Sequence, residues 1–383
     1  MNRRRLHIAL LAAVAGLLVL AALYQIKGNL GLIVGGGPGD AVDLRGRELE
    51  HAFFVNGANP FDHMTASQPP WGYPFGLLLT WPAWPYTRVY FAVLNAIALG
   101  FLMWWAYQQA AGESRSRRWL LAASVAAFGG SCTATQVGQV GIIVTALLAG
   151  ALWCEQTGRH YRSGLLVGLA LIKPTIAAPF AAALLIGGRY RAAASVAAYA
   201  AAASGVAWAV TGASPIHMML QLAASAASYL DEGTLGLVDL LAAWGVMSST
   251  QVALTPILVA VPALIMMAIW RHSLVLLFAV AAVSGRLWTY HKFYDDVMLV
   301  FLLVPLGVIA FRTRARPAPA IVAFILVGAV SWIPGRLLAE PLVQMLQLVV
   351  WPSALIYLLV ASRQRVGAVQ PAPAPALEHV HAS

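Results

Sequence analysis

A succession of apolar runs, most of them near the length of a membrane-spanning helix, constrains this chain more than any other feature. The runs lie near 6–26, 87–107, 119–134, 139–154, 163–187, 192–211, 251–270, 273–288, 297–311, 318–334 and 341–361. About 20 apolar residues cross the ~30 Å of bilayer hydrocarbon as a helix, and only 10% of all residues are charged. The runs lack the alternation of barrel strands, so we predict an all-α, polytopic transmembrane helical bundle.

Charged residues in the loops orient this bundle. Arginines recur at every second loop, beginning with Arg3, Arg4 and Arg5, as expected of cytoplasmic loops. Most acidic residues then fall in the opposite loops, although they played no part in the assignment. The net charge of +10 therefore reflects topology and not nucleic-acid binding. We predict one domain over 1–365, in the inner or plasma membrane, and a disordered cytoplasmic tail over 366–383.

One long run interrupts the alternation of loop charges. A single crossing between Arg162 and Arg189 would place Arg189 outside and invert every later loop. The pair Lys173-Pro174 lies in the middle of this run, where proline breaks a helix. Each arm has about 12 residues and reaches about 18 Å, which is too short to cross. We therefore predict a re-entrant helical pair over 163–187 beside about ten full spans.

The two long loops, 27–86 and 212–250, are predicted to be extracytoplasmic. In the first, Asp40 and Asp43 precede an amphipathic stretch. A carboxylate in this position can act as a general base, but aspartate is also common as a helix N-cap. Glu48 and Asn59 complete this polar cluster.

Two further clusters lie on the same predicted side of the membrane. Gln136 and Gln139 flank a tight turn between apolar runs, where their amides can bind hydroxyl groups. Lys173 lies within a long apolar run and so requires a partner. That partner is either an anion such as a lipid phosphate or a structural carboxylate such as Asp295.

The fourth cluster is the segment from Arg286 to Asp296, which sets charged groups beside aromatic rings. Arg286 and Lys292 suit a phosphate, and the rings suit a sugar or an isoprenoid. A divalent metal on Asp295-Asp296 and a simple salt-bridged loop are the alternatives. Because all four clusters share one side, we predict a site that faces away from the cytoplasm.

The order of these motifs resembles glycosyltransferase family 87 over roughly residues 36–300. The matching positions are Asp43, Asn59-Pro60-Phe61, Tyr73-Pro74, Gly138-Gln139-Val140, Gly164-Leu165, Gly168-Leu169, Lys173-Pro174 and Tyr290-His291-Lys292. The chain departs from the family pattern at Phe61, where tyrosine is usual. It also has Leu44-Arg45-Gly46-Arg47 where tyrosines usually follow the first aspartate.

The resemblance implies a C-type glycosyltransferase fold and an inverting hexosyltransferase. Such an enzyme moves a sugar, with mannose the first choice, from a polyprenyl-phosphate donor to a hydroxyl of a lipid- or glycan-linked acceptor outside the cytoplasm. Donor, acceptor and membrane lipids are the expected partners, and no metal or other cofactor is expected. A transporter or flippase of lipid-linked sugars is the main alternative, and a membrane polymerase with a pyrophosphate donor is another.

The resemblance also implies residue roles. The general base is Asp43, or Asp40 as the alternative, and His291 orients a substrate. The donor phosphate is assigned to Lys173, Lys292 and Arg286. Substrate contacts are assigned to Gln139, Gln136, Tyr290, Asn59 and Glu48.

Overall fold

Helices account for all the regular structure in the described part of the chain. The computed structural model describes residues 3–35, 37, 39–229, 255–288, 291–313, 318–335, 337 and 340–363. The helices are α1 (Arg3–Val34), α2 (Val42–Val55), α3 (Tyr73–Leu79), α4 (Tyr86–Gln109), α5 (Arg115–Ala126), α6 (Gly129–Val137), α7 (Gly141–Gln156), α8 (His160–Ala170), α9 (Pro174–Ile186), α10 (Tyr190–Thr211), α11 (Pro215–Tyr229), α12 (Thr255–Ile269), α13 (Leu274–Leu287), α14 (Val300–Arg312), α15 (Ala318–Ser331) and α16 (Pro341–Arg363). The predicted all-α class is confirmed. The predicted tail over 366–383, and the second long loop beyond Tyr229, lie outside the described residues.

Five described helices are long and apolar enough to cross a membrane. They are Ile8–Val34, Tyr86–Gln109, Tyr190–Thr211, Phe293–Arg312 and Leu342–Arg363. Helices α5 and α6 would form a sixth span if their bend of 44° is accepted within one crossing. The chain is a helical membrane protein, whereas the ten crossings and the C-type architecture stay predictions. The other apolar helices have only 13 to 16 residues, such as α9 and α7.

The centre of the bundle is α14 together with the segment that leads into it. Within Phe293–Arg312, 83% of the most apolar window is buried inside the protein. Phe301 packs against Phe180 of α9 and Phe278 of α13, with ring centroids 5.0 and 5.5 Å apart, and against Trp105 of α4 at 5.4 Å. By contrast, only 17% of the corresponding windows of α1 and α10 is buried, which suits helices that face lipid.

Helices α8 and α9 form a hairpin with Lys173 at its tip. At the start of α8, His160 Nδ1 lies 2.9 Å from Glu155 Oε2, and after α9, Arg189 Nε lies 3.6 Å from the same oxygen. Because both ends reach one carboxylate, the chain doubles back between them. The helix breaks at Lys173 because a residue before proline disfavours the α conformation, and Pro174 then opens α9 as its first residue. The placement of this hairpin as a re-entrant element in a membrane stays a prediction.

Cysteine labelling can test that placement, because the native Cys132 and Cys154 are both buried. We expect Arg191→Cys, after the hairpin, to react with a membrane-impermeant maleimide only once the cells are permeabilised. Asn56→Cys, exposed at the end of α2, should react in intact cells and serves as the matched control. Labelling of Arg191→Cys in intact cells would show that the 163–187 segment crosses the membrane.

Candidate active site

A cavity of about 570 Å³ opens where α2, the α6–α7 turn, the α8–α9 tip and the segment before α14 meet. Its charged lining residues are Asp43, Arg47, Glu50, Lys173, Lys292 and Asp295. Apolar side chains of α11, including Met219 and Leu222, cover another side. Residues from four distant parts of the sequence therefore meet in one chamber.

Helix α2 supplies three of these charged groups. Asp43, Arg47 and Glu50 are spaced by four and three residues, which sets them on one face of the helix. Asp43 is half-buried and lines the cavity, and no side chain of the described part of the protein donates a hydrogen bond to its carboxylate. Its oxygens are thus open to a proton donor in the cavity.

Asp40 has a different environment from Asp43. One of its carboxylate oxygens accepts a hydrogen bond from Gln136 Nε2 at 2.8 Å, and the other accepts one from the Gly37 amide at 3.0 Å. The next residue, Ala41, adopts a left-handed conformation with φ of 55° and donates its amide to the Gln136 carbonyl. Asp40 and Gln136 therefore fasten the start of α2 to the α6–α7 turn, and neither lines the cavity.

The α6–α7 turn holds Gln139 at the cavity wall. Gln139 Oε1 accepts hydrogen bonds from Arg47 Nη2 at 2.9 Å and from Lys173 Nζ at 3.2 Å, and Nε2 donates to the Tyr294 hydroxyl at 3.4 Å. Gln139 can take this position because Gly138 has a φ of +78° and allows α2 to approach closely. One amide thus connects α2, the hairpin tip and the segment before α14.

We expect Gly138→Ala to destabilise the protein more than Gly158→Ala does. Both glycines have a positive φ, at +78° and +75°, so the backbone strain is matched. A Cβ at Gly138 would lie 2.4 Å from the Leu44 Cβ, whereas a Cβ at Gly158 meets open space. The difference should be about 1–3 kcal/mol in unfolding free energy, seen as a lower Tm in a thermal-shift assay. Equal Tm values for the two variants would show that α2 can move away from the added Cβ without loss of stability.

Lys173 projects from the hairpin tip into the cavity wall. Its ammonium donates to Asp295 Oδ1 at 2.5 Å and lies 4.9 Å from the centre of the Tyr294 ring. Indole N–H groups of Trp71 and Trp288 donate to the Leu171 and Thr175 carbonyls, at 2.9 and 2.8 Å. These bonds satisfy backbone carbonyls that the broken helix would otherwise leave unpaired. The lysine has the structural carboxylate that the sequence suggested, and it still faces the cavity.

The segment before α14 arranges two separate acid–cation pairs. Asp295 is held between Lys173 and His291, whose Nδ1 lies 2.8 Å from Oδ2. Asp296 instead accepts a hydrogen bond from Arg286 Nε at 2.5 Å. The two neighbouring carboxylates thus pair with different cations. Because they do not face a common point, the arrangement does not suit a shared divalent metal. The described ranges also contain no group of three or more His, Cys, Asp or Glu side chains that could hold a metal ion.

His291 and Arg286 lie behind the cavity wall. Both are buried, at 1% and 3% exposure, and neither lines the cavity. Their contacts with Asp295 and Asp296 fix the position of the wall. Lys292, the residue after His291, lines the cavity with an exposed side chain.

The remaining predicted substrate contacts lie elsewhere. Asn59 donates a hydrogen bond to Gln221 Oε1 at 2.9 Å, which joins the long loop over 27–86 to α11. Glu48 pairs with Arg45 and accepts a hydrogen bond from the Trp84 amide. Neither lines the cavity. Tyr290 lies outside the described residues.

A second polar network, around Glu50, was not expected from the sequence. The Glu50 carboxylate accepts hydrogen bonds from the Ser67 amide and hydroxyl, at 2.9 and 2.8 Å, and from Gln68. Burial raises the pKa of Glu50, and the bonds from Ser67 oppose that rise. His51 contacts Gln68 and Thr80, and burial lowers the pKa of this histidine to about 4. The network holds α2 against the chain that follows it.

Arg47 and Glu50 are the charged cavity residues that sequence reasoning left without a role. The signal for them was available, because they fall four and seven residues after Asp43 in an amphipathic stretch. Chemically, the assembled cavity offers one open carboxylate, an amide and several cations. It can accept a proton, bind hydroxyl groups and stabilise an anion.

Comparison with known protein families identifies the chain at the level of the family. The family described as Glycosyltransferase family 87 matches residues 68–289, more than half of the chain. No curated protein and no solved structure matches. The matched region contains Gln139, Lys173 and Arg286, whereas Asp43 and Asp295 fall outside it. This helical membrane protein belongs to glycosyltransferase family 87.

Proposed function

We propose that this membrane glycosyltransferase takes a hexose, most readily mannose, from a polyprenyl-phosphate donor and transfers it with inversion to a hydroxyl of a lipid- or glycan-linked acceptor. The single observation that carries the proposal is the joint presence of Asp43, with an open carboxylate, and cationic groups in one cavity. A base and an anion-stabilising group are the two elements that a single displacement at a sugar requires.

The reaction can be written on these residues. Asp43 accepts the proton of the acceptor hydroxyl. At the same time, the oxygen of that hydroxyl bonds to the anomeric carbon of the donor. The bond between that carbon and the phosphate oxygen breaks, and its electron pair leaves with the phosphate. Lys173 and Lys292 stabilise the negative charge of the departing polyprenyl phosphate, and Gln139 binds a sugar hydroxyl. His291 acts indirectly, by orienting Asp295 against Lys173.

The location of the cavity supports a lipid-linked donor. Lys173 lies at the tip of the α8–α9 hairpin, and Arg189 with its neighbours lies at the open end. These arms have 11 and 13 residues, so about 16 to 20 Å separates the two ends. If the arginines mark the cytoplasmic side, the cavity opens extracytoplasmically in the plasma membrane. Nucleotide sugars are confined to the cytoplasm, which leaves a lipid as the sugar carrier.

Donor competition tests the proposal. Purified protein in lipid nanodiscs would receive short-chain polyprenyl-phosphate mannose, its glucose counterpart, a polyprenyl-diphosphate sugar or a nucleotide sugar. We expect release of polyprenyl phosphate from the first donor, and sugar transfer when alkyl glycosides or membrane lipid extract supply the acceptor. Preference for the nucleotide sugar would contradict the proposal. Movement of intact donor across the bilayer, without transfer, would favour a flippase, and preference for the diphosphate would favour a polymerase.

A further inference from the structure

The buried guanidinium of Arg47 is an unexplained charge in the wall of the cavity. The residue is only 7% exposed, and its Nη2 is occupied by Gln139 Oε1. Its Nε and Nη1 are also buried, and they donate to no partner among the described residues. None of the described carboxylates forms an ion pair with this side chain, although Asp43 and Glu50 share its helix face. A buried, incompletely paired cation is destabilising, which points to an anionic ligand.

The position of Arg47 matches that of the other anion-binding groups. Its guanidinium and the Lys173 ammonium both donate to Gln139 Oε1, at 2.9 and 3.2 Å. The two cations therefore converge on one point of the wall, held by a neutral acceptor. Lys173 already has Asp295 in ion-pair contact, whereas Arg47 has no such contact with a described carboxylate and only the nearby charge of Glu50. An anion that enters the cavity would meet the guanidinium as a buried cation with unpaired N–H groups.

We propose that Arg47 binds the phosphate of the lipid-linked donor, donating hydrogen bonds to its non-bridging oxygens from N–H groups that have no acceptor among the described residues. This inference rests on the proposed function and assigns a residue to which neither the family match nor the sequence analysis gives a role. Arginine suits this task because its planar N–H groups match phosphate oxygens, whereas lysine offers a point charge. Gln139 then acts as a positioning residue that holds the guanidinium edge towards the ligand.

The test compares the affinity of the full-length protein for short-chain polyprenyl monophosphate with that for the corresponding polyprenol. The affinity for the monophosphate divided by the affinity for polyprenol measures the contribution of the phosphate alone. We expect Arg47→Gln to reduce this ratio about tenfold to one-hundredfold, the range for lost hydrogen bonds to a charged group. The affinity for polyprenol should not change. Arg47→Lys should give an intermediate ratio, because it keeps the charge and loses the planar set of N–H groups.

Arg45→Gln is the matched control. Arg45 lies two residues earlier on α2, is half-exposed and lies outside the cavity lining. This variant should keep the wild-type ratio. If Arg47 were only structural, Arg47→Gln would lower the affinity for both ligands and the Tm, and the ratio would stay the same, which overturns the inference.

The outcomes also separate this inference from the proposed function. A wild-type protein that prefers the monophosphate, with an unchanged ratio in Arg47→Gln, would refute the role of Arg47 and leave the donor assignment intact. A wild-type protein with no preference for the monophosphate over polyprenol would refute both.

Discussion

Replacement of Asp43 by asparagine should reduce sugar transfer by about 10²–10⁴-fold, the contribution typical of a general base. Asparagine has nearly the same shape and cannot take up the acceptor proton. Asp43 receives no hydrogen bond from the described side chains, so the change should leave the fold intact. Turnover of the donor by the purified variant, together with its Tm, provides the measurement.

Asp40→Asn is the paired control for Asp43→Asn. Asp40 uses both oxygens to hold Gly37 and Gln136, so its variant should lose stability and retain the catalytic base. A large loss of turnover in Asp40→Asn, with near wild-type turnover in Asp43→Asn, would exchange the roles of the two residues. Glu50→Gln extends the comparison, because Glu50 is the other α2 carboxylate in the cavity.

Replacement of Lys173 by methionine should have two separable effects. Removing one partner of a buried ion pair leaves Asp295 uncompensated and destabilises a protein by about 3–5 kcal/mol. It also removes a cation from the leaving-group site, where loss of one such group lowers the rate by about 10²–10³-fold. Thermal unfolding and donor turnover report the two effects independently.

The double variant Lys173→Met with Asp295→Asn separates these effects. It removes both charges of the pair, so much of the lost stability should return. Transfer should remain low, because the leaving phosphate still lacks its lysine. Recovery of transfer together with stability would mean that Lys173 only neutralises Asp295, and the assignment of Lys173 to the donor phosphate would fall.

Much of the fold follows from local sequence signals. The apolar runs predict helices, and proline after Lys173 predicts the break between α8 and α9, since both depend on neighbouring residues alone. The number of crossings does not follow in the same way. Helices of 13 to 16 residues, such as α9 and α7, can be short spans, re-entrant arms or buried elements, and only their packing partners decide among these.

The site was partly predictable for a similar reason. Asp43, Gln139, Lys173 and Lys292 belong to the polar clusters that the sequence places beside or within apolar runs, and all four line the cavity. Sequence could not tell Asp40 from Asp43, since the distinction depends on the hydrogen bond from Gln136, which is 96 positions away.

Arg286 and His291 show where sequence reasoning selects residues that do not reach the cavity. Their residue types suggest contact with a substrate, but their side chains are buried against Asp296 and Asp295. Which of several clustered charges faces a ligand depends on the tertiary pairing of each one. Motif spacing carries no information about that pairing.

The pairing of Lys173 with Asp295 has a consequence for biosynthesis. The two residues are separated by 122 positions, so the hairpin tip is made long before its counter-charge leaves the ribosome. Until then, a cationic side chain at the tip is uncompensated in the half-inserted protein, which disfavours burial of the tip. A chain truncated before Asp295 should therefore insert less stably into the membrane and be degraded faster by membrane proteases.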